Sequence, residues 1–335
     1  MKVIAPILSI CIPTYNRAKD LKKNLSLLES YFQEYQDLKE KVVILISNNH
    51  SSDNTEEVAT TFVKSEAFNM EYYCQEKNIG GEHNTMWLVE KATTPWIMTL
   101  GDDDYLEPWY IAECLKQISE HPILGCIIPN YIAYYPETDT YGDLREELCE
   151  TQYYKAGFDA CLQNAWRGHQ LSGLCFRRES VMEEFRKRKM DNPYPQIFFI
   201  AYNALRYDVL HFGQKCLAVS GIPQAKKDWG YGNDGLVNGI FENFKNLGVT
   251  SRQRALLEAH FLKVDPRYLW AANDINRCIE HILKGNNVSF LGRYYIAKNI
   301  LHERCYTGKK LRIWFYLLAR FVLLKQLLTG KPISL

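Results

Sequence analysis

Three consecutive carboxylates, Asp102, Asp103 and Asp104, follow Gly101 and the apolar run Trp96-Ile97-Met98-Thr99-Leu100. A strand that ends this way sets several hard oxygen ligands side by side at a sheet edge. Their mutual repulsion is tolerable only if a cation or a solvated loop absorbs the charge. A divalent ion, Mg2+ or Mn2+, carrying a diphosphate would absorb it. An acidic turn ahead of the helix that starts near Pro108 is the competing reading, because Asp favours both turns and helix N-termini.

The elements that position these residues repeat a pattern. Ile7 to Ile12 is apolar and ends at Pro13, and Asp20 to Tyr35 then carries Leu21, Leu25 and Leu28 at helical spacing. Val42 to Ile46 is a second buried strand, running into the polar stretch Ser47 to Asn54 and a helix from Thr55. A third strand over Met70 to Cys74 leads to Asn78-Ile79-Gly80-Gly81, a helix over His83 to Lys91, and the strand that ends at the aspartates. Apolar strands interleaved with helices imply a mostly parallel sheet, whose ligands bind beyond the carboxyl ends of the strands. Thr14 to Arg17, Asn48 to Asp53, Asn78 to Asn84 and Asp102 to Asp104 all fall there. Four separate turns therefore converge on one rim, which favours the metal reading of the aspartates.

Beyond Pro122 the regularity loosens. Gly125 to Tyr135 reads as a strand, Glu137 to Tyr153 as a polar loop, Gly173 to Arg178 as a strand entering a helix over Glu179 to Lys189, and Ile197 to Leu205 as a further helix. Gly221 to Gly235 holds Gly221, Pro223, Gly230, Gly232 and Gly235 and predicts a mobile loop. From Gln253 the chain reads as mainly helical.

The 335 residues suffice for a large core, and 47% hydrophobic with a net charge of +1 describes a folded protein with no general attraction to nucleic acid. Ten cysteines without a Cys-x-x-Cys pair suggest neither a zinc site nor a disulfide framework, and reduced thiols in a cytoplasm are the simpler expectation. Met1 to Ser9 lacks a signal-peptide cleavage pattern, so secretion is not expected.

Ile10-Cys11-Ile12-Pro13-Thr14-Tyr15-Asn16-Arg17, Ser51-Ser52-Asp53-Asn54-Thr55, Asn78-Ile79-Gly80 and Gly101-Asp102-Asp103-Asp104 occur in that order. In this the chain resembles family-2 glycosyltransferases of the GT-A fold, specifically over roughly the first 110 residues and weakly to about Arg178. The resemblance implies an α/β fold: a Rossmann-like, mostly parallel sheet flanked by helices, with a C-terminal helical appendix. It implies a catalytic domain over 1–222, with a nucleotide-binding half (1–110) and an acceptor half (111–222), followed by a mobile loop and helical region over 223–335.

It also assigns tasks. Pro13, Thr14, Tyr15 and Arg17 would meet the base, ribose and phosphates, Arg17 supplying a permanent charge and a forked donor. Packing for Tyr15 and a surface ion pair for Arg17 are the alternatives. Asn48 stands where many relatives carry an aspartate that reads the nucleobase, and Asn78 and Asn84 would face the nucleotide. Asp53 and Thr55 are turn and capping residues. In the metal motif Gly101 occupies the place of the first aspartate, so Asp103 is the expected direct ligand, with Asp104 beside it and Asp102 on the ribose or the metal. The metal, Mg2+ or Mn2+, would act as a Lewis acid for the leaving diphosphate.

Inverting relatives place a carboxylate base in a Glu-Asp pair roughly twenty residues beyond the strand equivalent to Gly173 to Arg178. Here that place reads Asp191-Asn192-Pro193-Tyr194-Pro195-Gln196, so Asp191 is the first candidate base, Asp234 the second and Asp228 the third, each with a solvated loop carboxylate as the alternative. Trp166, Tyr194, Trp229 and Tyr231 are candidates for stacking on acceptor sugars, with core packing as the alternative. The implied partners are a nucleotide-diphosphate sugar donor and a glycan acceptor, carried on a polyprenyl diphosphate in bacterial surface-polysaccharide synthesis. A non-catalytic nucleotide-sugar-binding protein and a nucleotidyltransferase are the competing functions.

Over 309–328 the chain reads as an amphipathic helix, with Lys309, Arg312, Tyr316 and Arg320 on one face and Leu311, Trp314, Phe315, Leu318, Phe321 and Val322 opposite. From Lys309 onward there are six basic side chains and no acidic one, as expected for a helix lying on the anionic inner face of a cell membrane. A homo-oligomer interface is the alternative. The expected location is therefore cytoplasmic and peripheral.

Overall fold

A computed structural model describes residues 5–147, 150–221 and 235–264, with single positions at 289, 291–292, 317, 320–321, 324 and 328–329. The first part alternates as expected: β1 (Leu8–Thr14), α1 (Ala18–Glu34), α2 (Leu38–Lys41), β2 (Val42–Asn48), α3 (Thr55–Ser65), β3 (Met70–Cys74), α4 (Gly81–Lys91), β4 (Trp96–Thr99), β5 (Tyr105–Leu106) and α5 (Tyr110–Glu120). It continues through β6 (Leu124–Tyr135), β7 (Thr140–Leu144), β8 (Gln152–Tyr154), α6 (Phe158–Asn164), a 3-10 turn over Ala165–His169, β9 (Cys175–Arg177), α7 (Glu179–Lys187), α8 (Pro195–Ala204), β10 (Asp208–Ser220), α9 (Gly235–Lys245) and α10 (Ser251–Val264).

All ten strands join one sheet with the order β3-β2-β1-β4-β9-β6-β10-β5, β7 adding to β6 and β8 to β10. Strands β3, β2, β1 and β4 are parallel, and their continuous apolar sequences follow from helices covering them: Leu8, Ile10, Ile12, Ile44 and Ile46 are fully buried. Leu21, Leu25 and Leu28 of α1 pack into the same core. Truncating one such residue, Ile44→Ala, costs about 2–5 kcal/mol. Register then levels the strand ends, pairing Thr14 with Asn48 and Asn48 with Cys74, while the Leu100 N–H bonds the Cys11 carbonyl at 3.0 Å. The four expected turns thus leave the sheet at one edge.

The second half of the sheet is mixed. β9 runs antiparallel to both β4 and β6 and so splices the parallel half to β6 and β10, which are parallel to each other. Two segments differ from expectation. Residues 137–153 hold β7 and the start of β8 rather than only a loop, since backbone pairing to β6 and β10 outweighs their polar composition. The long strand β10 has no clean sequence signature because Gly213-Gln214-Lys215 interrupts its apolar run, and the register against β6 slips there.

The chain forms two compact units whose segments interleave: residues 1–160, 170–187 and 203–228 in one, 161–169, 188–202 and 229–335 in the other. The division expected from sequence was contiguous, at 222/223. The first unit contains the sheet. In the second, Phe241, Phe244 and Phe261 cluster with ring centroids 5.8 to 6.4 Å apart, and the amides of Asn192 and Asn243 bond each other at 3.2 Å. Trp166 and Tyr194 are buried in this unit, at 7% and 8% exposure, so packing rather than sugar stacking accounts for them. Trp229, Tyr231, Asp228, Asp234 and most of the Gly221 to Gly235 loop lie outside the described residues. The described positions near the C-terminus are helical, and Leu317, Phe321, Leu324 and Leu328 among them are exposed. No helix among the described residues is long and apolar enough to cross a membrane.

Candidate active site

The backbone of Gly101 to Asp104 is clamped by α1. Asn24, buried among the leucines of that helix, donates from Nδ2 to the carbonyls of Gly101 at 3.0 Å and Asp104 at 2.9 Å, with a longer contact of 3.5 Å to Asp102. The Gly101 N–H in turn donates to the Ser172 hydroxyl at 2.8 Å. A Cβ at Gly101 would lie 3.1 Å from Asp104 Oδ2, 3.2 Å from Ser172 Oγ and 3.3 Å from Asp103 Oδ1. Glycine is therefore the residue this turn accommodates without displacing its neighbours.

The three carboxylates divide into two sets. Asp102 and Asp103 both turn to Arg17, which donates from Nη1 to Asp102 Oδ1 at 3.4 Å and closely to Asp103 Oδ2. Asp104 turns the other way: its Oδ2 accepts from the Ser172 hydroxyl and its Oδ1 from the Ser220 N–H at 2.7 Å. Asp104 thereby ties the β4 turn to the segment before β9 and to the end of β10. Asp104, expected beside Asp103 at a metal, thus holds a protein donor on each oxygen, whereas Asp102 shares Arg17 with Asp103.

Electrostatics sharpen the picture. Burial, reinforced by repulsion from Asp103 and opposed by Arg17, pushes the Asp102 carboxyl up to about 8, and burial with the same repulsion pushes Asp104 up to about 7 despite its two donors. Burial and then Asp103 also raise Asp20, on the first turn of α1. For Arg17, burial opposes the charge, but Asp103 and Asp102 outweigh it and hold its pKa above the usual value. One guanidinium thus faces more carboxylate than it can neutralise.

Arg17 itself is set by the neighbouring turn. Asn16 adopts a left-handed conformation (φ 50°), which an Asn tolerates. Its N–H donates to Ser51 Oγ at 2.8 Å, and its side-chain oxygen accepts from the Ser52 N–H at 2.7 Å. Asp53 accepts from the Ala18 N–H at 3.0 Å and the Thr55 N–H at 3.1 Å, so one carboxylate caps both α1 and α3, in agreement with its expected turn role. Thr14 is buried at the end of β1, and Pro13 and Tyr15 are partly buried beside it.

The asparagines of the rim, expected to face a nucleotide, have bonding partners within the protein. Asn48, 1% exposed, donates to the Tyr72 hydroxyl and accepts from the Ser51 N–H, each at 2.9 Å. Asn84, equally buried, accepts from Ser47 Oγ at 2.6 Å and donates to the Ser47 carbonyl at 2.8 Å, holding α4 to β2. Asn78 is exposed, but its side-chain oxygen accepts from Asn49 Nδ2 and the Gly80 N–H, both at 2.9 Å. These bonds brace the loops around the site, and the buried Asn48 and Asn84 spend their amides on protein partners. Gly80, at φ +90°, completes the entry to α4.

Asp191 is an exposed residue of the second unit, and its charge contributes to raising Glu242 there, after burial. Sequence reasoning passed over Asn24, Ser172, Ser220 and Asn49. Asn24 left a signal, a polar residue three positions after Leu21 and one before Leu25 on the apolar face of α1. Ser220 left none, because it acts through its backbone. Among the described residues no group of three His, Cys, Asp or Glu side chains is disposed to hold a metal ion.

Comparison with known proteins agrees with this architecture. The family model of glycosyl transferase family 2 matches residues 9–186. The abequosyltransferase RfbV of Salmonella typhimurium is 33% identical over 100 residues, 30% of this chain and 29% of that protein. The GalNAc(5)-diNAcBac-PP-undecaprenol beta-1,3-glucosyltransferase of Campylobacter jejuni is 26% identical over 126 residues, 37% of this chain and 39% of that one. The chain thus matches less than half the length of either curated relative. The crystal structure of S. aureus TarS 1-349 in complex with UDP-GlcNAc superposes with a TM-score of 0.63 at 14% identity, covering 97% of this chain and 92% of that one. The mannosyltransferase PcManGT of Pyrobaculum calidifontis, in complex with GDP-Man and Mn2+, gives 0.53 at 13% identity over 98% and 88% of the chains. With the family model spanning more than half of the chain and the sheet superposing on solved structures of the same architecture, the chain belongs to glycosyl transferase family 2 and has the GT-A fold.

Proposed function

We propose that this glycosyltransferase moves a sugar, with inversion, from a nucleotide-diphosphate donor to a hydroxyl of a glycan acceptor, using a divalent metal. The observation that carries the reading is the excess of carboxylate around Arg17: Asp102 and Asp103 are hard oxygen donors short of positive charge, which suits Mg2+ or Mn2+. Bound there, the ion would stabilise the charge that develops on the departing diphosphate. Arg17 would bind the phosphates, Tyr15 and Thr14 the nucleoside, and Asp104, with Ser172 and Ser220, would hold the acidic turn in place. The acceptor oxygen forms its bond to the anomeric carbon as the bond to the diphosphate breaks, and its proton passes to a carboxylate base. We assign Asp191 as the first candidate for that base because it is an exposed carboxylate near the position relatives use; Asp234 is the second.

Hydrolysis of UDP, GDP, CDP and dTDP sugars with and without Mn2+ tests the reaction. Binding of a nucleotide sugar without metal-dependent turnover of any of them would favour a non-catalytic binder. Asp191→Asn at saturating donor tests the base, and full activity would remove it.

A lipid-linked acceptor at the cytoplasmic face of the membrane, in bacterial surface-polysaccharide synthesis, is the setting we propose. It draws support from the undecaprenol named for the Campylobacter relative and from the C-terminal stripe Leu317, Phe321, Leu324 and Leu328, exposed by 58%, 55%, 57% and 77% at spacings of four, three and four. The surrounding sequence is basic with no acidic residue after Glu303, which suits anionic lipid and disfavours pairing with a second copy. Flotation with phosphatidylglycerol vesicles, with and without truncation after Gly308, tests this. Equal flotation of the two would refute it, and a dimer lost on truncation would assign the stripe to an oligomer interface.

A further inference from the structure

Beside the acidic turn lies a row of aromatic rings that the nucleotide and metal roles leave unused. Tyr105 follows Asp104 directly and opens β5. Its ring centroid lies 5.9 Å from that of Tyr134 on β6, edge-on at 75°, and Tyr134 lies 5.2 Å from Tyr141 on β7, tilted at 37°. The row begins at the carboxylates and ends in solvent: Tyr134 is 7% exposed and Tyr141 59%.

Backbone bonds fix the row relative to the site. Tyr134 pairs with Ser220, whose N–H holds Asp104, and the Tyr134 carbonyl accepts from the Gly221 N–H at 2.7 Å. The row and the acidic turn are thus joined through Ser220 at the end of β10 and Gly221, which follows it. In the sheet, β1 and β2, whose loops carry Arg17 and the asparagines, lie on one side of β4, while β6 and β5 lie on the other. The row occupies the flank of the carboxylates opposite the proposed nucleotide side.

Two cations line it. Lys23 Nζ stands 4.2 Å from the Tyr105 centroid and 4.6 Å from that of Tyr134, and it donates to the Tyr134 hydroxyl at 3.4 Å. Lys215 Nζ stands 5.4 Å from the Tyr141 centroid and pairs with Glu107. An exposed phenol ring flanked by hydrogen-bond donors has an apolar face and a polar edge, the combination a pyranose presents in return through its C–H face and its hydroxyls. Packing of the hairpin explains Tyr134, which is buried, but leaves the open side of Tyr141 without a task.

We propose that Tyr105, Tyr134 and Tyr141 form a subsite for the acceptor, in which a sugar ring stacks on Tyr141 and the row leads its hydroxyl toward Asp103. This rests on the transferase reading above and extends it to the acceptor. The test uses the full chain with Mg2+ and saturation-transfer NMR against methyl glycosides of glucose, galactose, mannose, rhamnose, N-acetylglucosamine and N-acetylgalactosamine. The wild type should bind at least one of them, Tyr141→Ala should bind it about tenfold more weakly, and Tyr141→Trp should retain it. Because the side chain is largely exposed, Tyr141→Ala should melt within about 2 °C of the wild type, so weak binding would not reflect unfolding. Absence of binding by the wild type, or equal binding by Tyr141→Ala, would overturn the subsite. Donor hydrolysis by the wild type in the same preparation tests the transferase reading separately, so the two can fail independently.

Discussion

Two stretches of one rim show how buried polarity can serve opposite ends. On the β2 side, Asn48, Asn49 and Asn84 are nearly inaccessible, and their amide groups are bonded to Tyr72, Ser51, Asn78, Ile79 and Ser47. At the end of β4, Asp102 and Asp104 are buried to a similar degree, yet their carboxyls are raised by burial and by repulsion from Asp103, which Arg17 offsets only in part. A neutral amide can be satisfied by its neighbours and then only braces them. A cluster of carboxylates keeps a mutual repulsion that hydrogen bonds do not cancel, and in the proposed reading that residual charge is what suits it to a cation.

Replacing a residue on each side should break the comparison in opposite directions. Asp103→Asn should lower donor hydrolysis by about 10²–10³-fold while leaving the urea midpoint at or above that of the wild type, since it removes a repelling charge. Full activity would remove Asp103 from the metal site. Asn84→Ala should do the reverse. It leaves the hydroxyl and carbonyl of Ser47 without their buried partner and should cost about 1–3 kcal/mol in urea unfolding, with turnover per folded molecule changed far less than by Asp103→Asn.

The acidic side should also respond to pH in a way that the amide side does not. Because the native carboxyls of Asp102 and Asp104 titrate near 8 and 7 instead of 3.8, the native state holds more protons than the unfolded chain between these values. Metal-free stability should therefore be greatest at or below pH about 4 as far as these groups are concerned and be lost progressively as pH rises to about 8. Thermal melting from pH 5 to 8 should show this decline flattened in Asp102→Asn, and added Mn2+ should raise the melting temperature more at pH 8 than at pH 5. A metal effect independent of pH would contradict the assignment. The smallest change, Tyr72→Phe, removes one partner of Asn48 and should cost about 1 kcal/mol or slightly more, with donor preference across the four nucleotides unchanged. Altered base preference would return Asn48 to the nucleotide.

The periodicity of the first 120 residues was enough to read the alternation of strands and helices, because β1, β2 and β4 are buried along almost their whole length and helices such as α1, α3 and α5 are amphipathic. The second half was less legible. β9, with only three residues, is defined by its antiparallel partners on both sides, and β10 carries an interruption that only a register slip against β6 accommodates. Residue type and position were enough to bring Arg17 and Asp103 to the same rim, where the two side chains meet. Asn48, Asn78 and Asn84 were expected at the rim and lie there, but their bonds to Tyr72, Ser51, Asn49, Gly80 and Ser47 could not be read from residue type, which does not reveal an amide's partners. Asn24 was visible in principle as a polar break in an apolar stripe.

By itself, then, the sequence determined that several strand-end turns meet at one rim and that three carboxylates stand there, because side-chain periodicity and turn chemistry are local properties. Tertiary structure decided which carboxylates remain available. Asp104 is taken up by Ser172 and by the Ser220 backbone, and Asp102 and Asp103 are left facing Arg17. Those partners are separated from the turn by 68, 116 and 85 to 86 residues, and only folding, which brings distant donors within 3 Å or so of a given oxygen, can assign each carboxylate its role.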